Sequence, residues 1–199
     1  MLPTSFKRAV RLILRNCWES AAYHLLKTRV DIRTLHHVVF VCKGNICRSV
    51  FAEYYLKHQV PDRGLIIESC GLDVDQGILS PPMAVHIAKE FELDLERHRS
   101  KVFTSCNMHN ADLILPMEFR QYLRLLSIFP EKRQNIRLLR DFAPWPDRVF
   151  CNIDDPYGTG ENEFRRCFRL LQRAINGLRH YLPTEEVDKP DRHCQNRIK

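Results

Sequence analysis

Cys42 and Arg48 stand six positions apart in the segment Cys42-Lys43-Gly44-Asn45-Ile46-Cys47-Arg48-Ser49. A cysteine thiolate is a strong nucleophile, and a guanidinium offers a planar fork of N–H donors that matches two oxygens of a tetrahedral anion. The spacing alone says little. With eight cysteines in an arginine-rich chain, about one such pair is expected by chance. Cys167 and Arg173 share it, inside a stretch of helical periodicity where no loop can close.

Context separates the two pairs. Val38-Val39-Phe40-Val41 is a continuous β-branched and aromatic run of the kind buried on both faces of a sheet. Gly44-Asn45 breaks it, and a helix is predicted from Ser49 to about His58. Gly44 allows a positive φ and Asn45 tolerates the left-handed region. The loop from Lys43 through Gly44, Asn45, Ile46 and Cys47 to Arg48 is therefore expected to turn its N–H groups inward as an anion-binding nest. The helix N-terminus adds donors and its dipole, and the same field favours the thiolate form of Cys42. Arg48 can reach back to hold two phosphoryl oxygens, which a lysine would do poorly. The competing reading is a buried strand-end cysteine beside a helix-capping Ser49.

Transfer of a phosphoryl group also needs an acid for the leaving oxygen. Asp154-Asp155-Pro156-Tyr157-Gly158 offers one on a loop. By itself, Asp-Asp-Pro is an ordinary turn. Its pairing with the loop at Cys42 gives it a second meaning, and the residues alone leave Asp154 and Asp155 both open.

The elements that must position these groups follow from hydrophobic periodicity. Strands are predicted at Val38–Val41, Leu65–Ile67, Ala111–Leu115 and Ile136–Leu139, with helices at Pro82–Phe91, Glu118–Leu126 and Glu161 to about Tyr181. Phe164, Phe168, Leu171, Ile175 and Leu178 share one face of the last helix. This alternation predicts an α/β fold, a four-stranded parallel sheet with helices on both faces, with the loop between first strand and first helix at its ligand end. Ser5 to about Lys27 predicts an extra N-terminal helix with an apolar stripe of Phe6, Val10, Ile13, Cys17 and Ala21. That helix would pack on the domain, on a second copy or on a membrane surface. The chain thus divides into an N-terminal helical extension (1–35), a catalytic domain (36–182) and a polar tail expected to be disordered (183–199). The chemistry-bearing residues all lie after the extension, so its removal is expected to leave turnover of a small substrate unchanged.

The formal net charge of +7 favours an anionic partner without choosing among phosphate esters, nucleic acid and acidic lipid. The cysteines include no C-x-x-C pair and the nine histidines no zinc-type cluster, so free thiols, a reducing compartment and no metal or cofactor are expected. Arg11 and Arg15 interrupt the apolar start, and neither a signal-peptide core nor a membrane span is read. A soluble cytoplasmic protein is the expectation. Interleaved basic and aromatic residues of a nucleic-acid site are lacking.

Taken together, Cys42 to Ser49 and Asp155-Pro156-Tyr157 resemble the low-molecular-weight protein tyrosine phosphatases, over about Val38 to Tyr181. The resemblance implies a phosphocysteine intermediate on Cys42, phosphate bound by Arg48, and a leaving thiolate stabilised by Ser49. It selects Asp155 as the general acid, because that aspartate directly precedes proline. Asn45, Ser69 and His98 match the residues with which the family ties its loop. A phosphotyrosine protein is the implied substrate, and a bacterial tyrosine kinase of polysaccharide export one such target. Cys47 is the implied partner of Cys42 in a protective disulfide. Val50 replaces a common proline, Gly158 the second tyrosine of the animal pattern, and Asp73-Val74-Asp75 lacks the aromatic wall of many members. Tyr157 is then the single aromatic wall of the substrate pocket.

Two relatives and one other class compete. Arsenate reductases of this fold relay a disulfide through two further cysteines near the third strand, where this chain has Leu113-Ile114-Leu115-Pro116-Met117-Glu118 and only Cys106 beforehand. Protein arginine phosphatases carry threonine where Ile46 stands. A non-catalytic anion- or membrane-binding module is the third reading, separable by metal-free hydrolysis of p-nitrophenyl phosphate.

Overall fold

The computed structural model describes residues 4–28, 35–61, 64–75 and 77–182. The tail expectation for 183–199 lies outside the described residues. Three strands, β1 (His37–Cys42), β2 (Ile66–Gly71) and β3 (Leu113–Pro116), form a parallel sheet in the order β2-β1-β3. Five helices accompany them: α1 (Thr4–Leu26), α2 (Arg48–Gln59), α3 (Pro82–Ala88), α4 (Phe119–Ile128) and α5 (Glu161–Arg179).

The central strand explains the layering. Every residue of β1 is buried, and alternate side chains serve opposite cores, as the pleat requires. Val38, Phe40 and Cys42 join the apolar cluster under α2, α3 and α5, whereas Val39 and Val41 join the cluster beneath α4 and Tyr23 of α1. The five residues expected on one face of α5 are all buried. Phe168 stacks on Phe51 of α2 with ring centroids 4.2 Å apart.

A fourth strand does not form among the described residues. At Ile136–Leu139 a single parallel bridge, Ile114 to Ile136, is all that remains. Arg137 donates its N–H to the Ile114 carbonyl at 3.0 Å, but the Leu138 N–H goes to the Tyr23 hydroxyl at 3.1 Å. Pro116 has no N–H to carry the ladder further, and 3-10 turns at Pro130–Asn135 and Leu139–Phe142 close the segment at both ends. The sheet therefore has three strands where the apolar pattern predicted four.

The apolar stripe of α1 is also reversed. Val10, Ile13, Cys17 and Ala21 are exposed, while Glu19, Ser20 and Tyr23 are buried. The helix docks by a polar face because its acceptors meet unsatisfied donors on the domain. No helix among the described residues is long and apolar enough to cross a membrane.

Parallel pairing brings the ends of β1 and β2 together, with Cys42 opposite Gly71. Pairing continues past the strands: Leu72 N–H reaches Cys42 O at 3.0 Å and Asp73 N–H reaches Lys43 O at 2.9 Å. Gly71 is the point of closest approach, for a Cβ there would lie 2.8 Å from Lys43 O and 3.1 Å from Asn45 N. Both are backbone atoms of the loop and cannot swing aside. Gly71→Ala is expected to weaken competitive binding of inorganic phosphate by at least about tenfold, as misplacement of a preorganised site does, while far-UV circular dichroism stays native. Unchanged phosphate inhibition would show that the loop does not depend on this contact.

Candidate active site

The loop leaves β1 at Cys42 and enters α2 at Arg48. The left-handed residue that turns it is Asn45, with φ 49°. Gly44 does not take a positive φ, contrary to the expectation from sequence, and a Cβ there would meet only the Ile46 side chain at 3.5 Å. The turn at Asn45 points its own N–H at Cys42 Sγ, 3.2 Å away. The first N–H of α2 with an intrahelical acceptor is that of Phe51, bonded to Cys47 O. The donors of Arg48, Ser49 and Val50 precede it and belong to the loop end of the helix.

Cys42 sits on a chain of buried polar groups. Ser49 Oγ lies 3.0 Å from Cys42 Sγ and accepts from Asn45 Nδ2 at 2.9 Å. The other proton of that amide goes to Ser69 Oγ at 2.8 Å, and Ser69 donates to Glu53 Oε2 at 2.5 Å. Asn45 Oδ1 accepts the Lys101 N–H at 2.8 Å. Its carbonyl accepts from His98 Nε2 at 2.9 Å, which fixes the proton on that nitrogen. Burial pushes the His98 imidazole below its ordinary range, in keeping with a neutral donor. Asn45, Ser49, Ser69 and His98 are thus brought together around one loop.

Arg48 is enclosed, with a side chain 1% exposed. Nη1 donates to Glu118 and to Ile153 O at 3.0 Å, and Nη2 lies 2.7 Å from Asp155 Oδ2. Burial by itself would lower its pKa, but Cys42, Asp155 and Glu118 around it hold the guanidinium above its ordinary value. Its Nε is buried without a partner among the described residues. An N–H so placed is costly unless an acceptor is meant for it.

The two aspartates face different ways. Asp155 Oδ1 takes the Tyr157 N–H at 3.3 Å, closing the turn through Pro156, and Oδ2 turns inward to Arg48. Asp154 turns outward, 3.5 Å from Arg15 Nη2, with a side chain 62% exposed against 36% for Asp155. A cleft of about 270 Å³ is lined by Cys42, the loop from Lys43 to Arg48 except Asn45, and Asp155. Tyr157 walls one side and Val74 and Ile78 another, with Asp73 and Asp75 at the rim. Cys47 lines the same cleft; burial first, and the neighbouring Cys42 next, push its thiol up. No group of three or more candidate metal ligands occurs among the described residues.

Two carboxylates escaped the sequence reading. Glu118 stands at the carboxyl end of β3, where ligands of such sheets lie, but its local sequence gives it no mark beyond that place. Glu53, 4% exposed on α2, carried a weaker signal: a carboxylate among the apolar residues of a core helix.

The sequence matches the family described as low molecular weight phosphotyrosine protein phosphatase over residues 37–191. It is 36% identical over 152 residues to the low molecular weight protein-tyrosine-phosphatase Wzb of Escherichia coli K12, covering 76% of this chain and 99% of that protein. The fold is similar to the crystal structure of the tyrosine phosphatase amsI of Erwinia amylovora (TM-score 0.67, 28% identity, 75% of this chain and 95% of that one). It is likewise similar to the YwlE arginine phosphatase of Geobacillus stearothermophilus (TM-score 0.65, 27% identity, 73% and 91%). With a loop of this geometry and a family match across most of its length, the chain belongs to the low molecular weight phosphotyrosine protein phosphatases.

Proposed function

We propose that this protein hydrolyses phosphotyrosine in proteins by double displacement, with residues 36–182 as the phosphatase domain. The observation that carries this reading is the orphaned Nε of buried Arg48 in the cleft that also holds Cys42 and Asp155. The Cys42 thiolate attacks phosphorus while the loop N–H groups from Lys43 to Arg48 and the guanidinium hold the equatorial oxygens. The phosphorus–oxygen bond breaks, and the Asp155 carboxyl gives its proton to the tyrosyl oxygen. Asp155, now a carboxylate, takes a proton from water as that water attacks phosphocysteine. The sulfur–phosphorus bond breaks, and the Ser49 hydroxyl, 3.0 Å from Sγ, stabilises the departing thiolate. Asn45, Ser69 and His98 hold the loop for both steps, and Tyr157 packs on the substrate ring. These groups meet the needs of the reaction from the protein alone.

Ile46 lines the cleft with an aliphatic side chain, and has no hydroxyl to offer a guanidinium, which favours tyrosyl over arginyl substrates. The partner in this reading is a phosphotyrosine protein, a bacterial tyrosine kinase of polysaccharide export being the target that the family resemblance favours. The outward face of α1 adds a second contact. Leu12, Ile13, Leu14, Trp18 and Leu25 are exposed beside exposed Arg11, and the charge of +7 suits an anionic lipid surface better than a second copy of an equally basic chain.

Asp155→Asn is expected to lower kcat on a phosphotyrosine peptide by roughly 10²–10⁴-fold. Asp154→Asn should cost far less, since that side chain points away from the cleft. A greater loss at Asp154 would reassign the acid.

The membrane reading predicts that the full chain pellets with phosphatidylglycerol vesicles but not with phosphatidylcholine vesicles, and that the pair Ile13→Asp and Leu14→Asp abolishes pelleting. Failure to pellet with anionic vesicles, or sedimentation as a dimer through this face, would remove it.

Mild peroxide is expected to oxidise Cys42 to a sulfenic acid, from which the Cys47 thiol displaces water to form a disulfide. Dithiothreitol should then restore activity to the wild type, with the Cys42–Cys47 link visible by peptide mapping. Cys47→Ser should lose activity irreversibly. Equal recovery in that variant, or a link from Cys42 to Cys70, would sink the idea.

A further inference from the structure

Helix α1 meets the domain by a polar stripe, and what the stripe holds is the segment leading into Asp155. Asn16, Glu19, Ser20 and Tyr23 recur at the three- and four-residue steps of one helix face. Ser20 Oγ donates to the Asn16 carbonyl at 2.6 Å, and this orients its free lone pairs toward the Cys151 N–H, which it accepts at 3.0 Å. Asn152 is 2% exposed. Its Nδ2 donates to Asn16 Oδ1 at 3.0 Å and to Glu19 Oε2 at 2.5 Å, so both amide protons are spent on α1. Its Oδ1 accepts the Phe119 N–H at 2.8 Å, at the start of α4. Arg15 Nη2 lies 3.5 Å from Asp154 Oδ1.

The domain holds the same segment from the other side. Ile153 N–H bonds to Met117 O at 2.8 Å, and Ile153 O accepts from Arg48 Nη1 at 3.0 Å. Residues 151–154 are therefore clamped between the end of β3 and α1, directly before the acid. Tyr23 anchors the strap further along: its hydroxyl donates to Asp141 at 2.8 Å, and its ring meets Tyr122 edge-on at 5.1 Å. A buried amide such as Asn152, deprived of both acceptors, must turn to find others, and the backbone turns with it.

We propose that α1 is a positioning element for the general acid, with Asn16, Glu19 and Ser20 setting the height of Asp155 over Cys42 through the 151–154 segment. The extension is then part of the catalytic apparatus, and the expectation that its loss leaves turnover unchanged is confined to small substrates whose leaving group needs no proton. The role rests on Asp155 being the acid. It does not require α1 to touch substrate.

The test uses the full chain with Asn16→Ala and Glu19→Ala combined, on two substrates. On a phosphotyrosine peptide, whose leaving oxygen needs a proton, kcat/KM, which reports transfer to Cys42 and not the later hydrolysis of phosphocysteine, is expected to fall about 10- to 100-fold, as an ångström-scale misplacement produces. On p-nitrophenyl phosphate, whose leaving oxygen is a much weaker base, the loss in kcat/KM should stay within about threefold, because little of the barrier to that first step depends on the acid. Competitive inhibition by inorganic phosphate should be unchanged, since the phosphate loop is untouched. Glu19→Gln should behave as wild type, because its amide oxygen accepts the same bond. In an Asp155→Asn background the α1 changes should cost nothing further on phosphotyrosine, for the group they position is gone. Should the double variant unfold, Ser20→Ala carries the same expectation at smaller size. Equal losses on both substrates, or a further loss in the Asp155→Asn background, would overturn the proposal. If Asp155→Asn alone shows no leaving-group dependence, the acid assignment fails, and the strap falls with it.

Discussion

A guanidinium buried at 1% exposure is the constraint around which the rest of the site is arranged. Taking such a charge out of water is expensive unless it is surrounded by acceptors. Arg48 obtains them from two parts of the chain remote from it in sequence: Glu118 after β3, and the segment that carries both the Ile153 carbonyl and Asp155. Each partner satisfies the arginine and is itself held by it. Glu118 and Asp155 are two carboxylates around one guanidinium, so removing either still leaves the charge paired. The pairs are weak grounds for stability but strong grounds for register, since the arginine is fully satisfied only when both segments meet it at one point. Of the five guanidinium donors these partners take three, and the Nε proton and the second Nη2 proton are left over.

The loop at Cys42 is fixed by a different device. Asn45 is its hub: the side chain bonds to Ser49, Ser69 and the Lys101 N–H, the carbonyl to His98, and the N–H to Cys42 Sγ. An amide can make these contacts together because it offers two donors and an acceptor in one plane. The left-handed backbone at φ 49° is tolerated by asparagine better than by most residues, so one residue supplies both the turn and its bracing. Glu53 terminates the chain through Ser69, and Lys57 and Lys101 lie 2.6 Å and 3.7 Å from its carboxylate. Such a network is fully satisfied inside, which is the condition under which buried polar groups rigidify a site.

What the sequence made legible was local. The strand, turn and helix around Cys42 declare themselves within a dozen residues, whereas the residues alone leave Asp154 and Asp155 both open and only the family resemblance selects between them. The long closing helix was readable because its apolar face, from Phe164 to Leu178, repeats over about four turns. Partnerships across the fold were not readable. Glu118 acquires meaning only when β3 brings it beside Arg48, and the fourth strand stops at one bridge where Pro116 offers no N–H and the Tyr23 hydroxyl takes the Leu138 N–H. The residue types allowed a left-handed backbone at both Gly44 and Asn45, and only Asn45 takes it. In each case a donor or acceptor from a distant segment decided the outcome, and spacing carries no trace of it.

The reversal of α1 follows from the same physics. An apolar stripe predicts which face a helix buries when the opposing surface is apolar. Here the opposing surface presents the Cys151 N–H and both amide protons of Asn152, and leaving those unmet would cost more than leaving isolated apolar side chains in water. The helix therefore turns Asn16, Glu19 and Ser20 inward. Hydrogen bonds are directional where apolar contacts are not, so a polar seam fixes the rotation and height of what it holds more narrowly than an apolar seam of equal area. That property suits a segment which carries Asp155 two to four residues on. It also releases Ile13, Leu14 and their neighbours for the solvent side, so that one helix holds the 151–154 segment with one face and presents apolar side chains with the other.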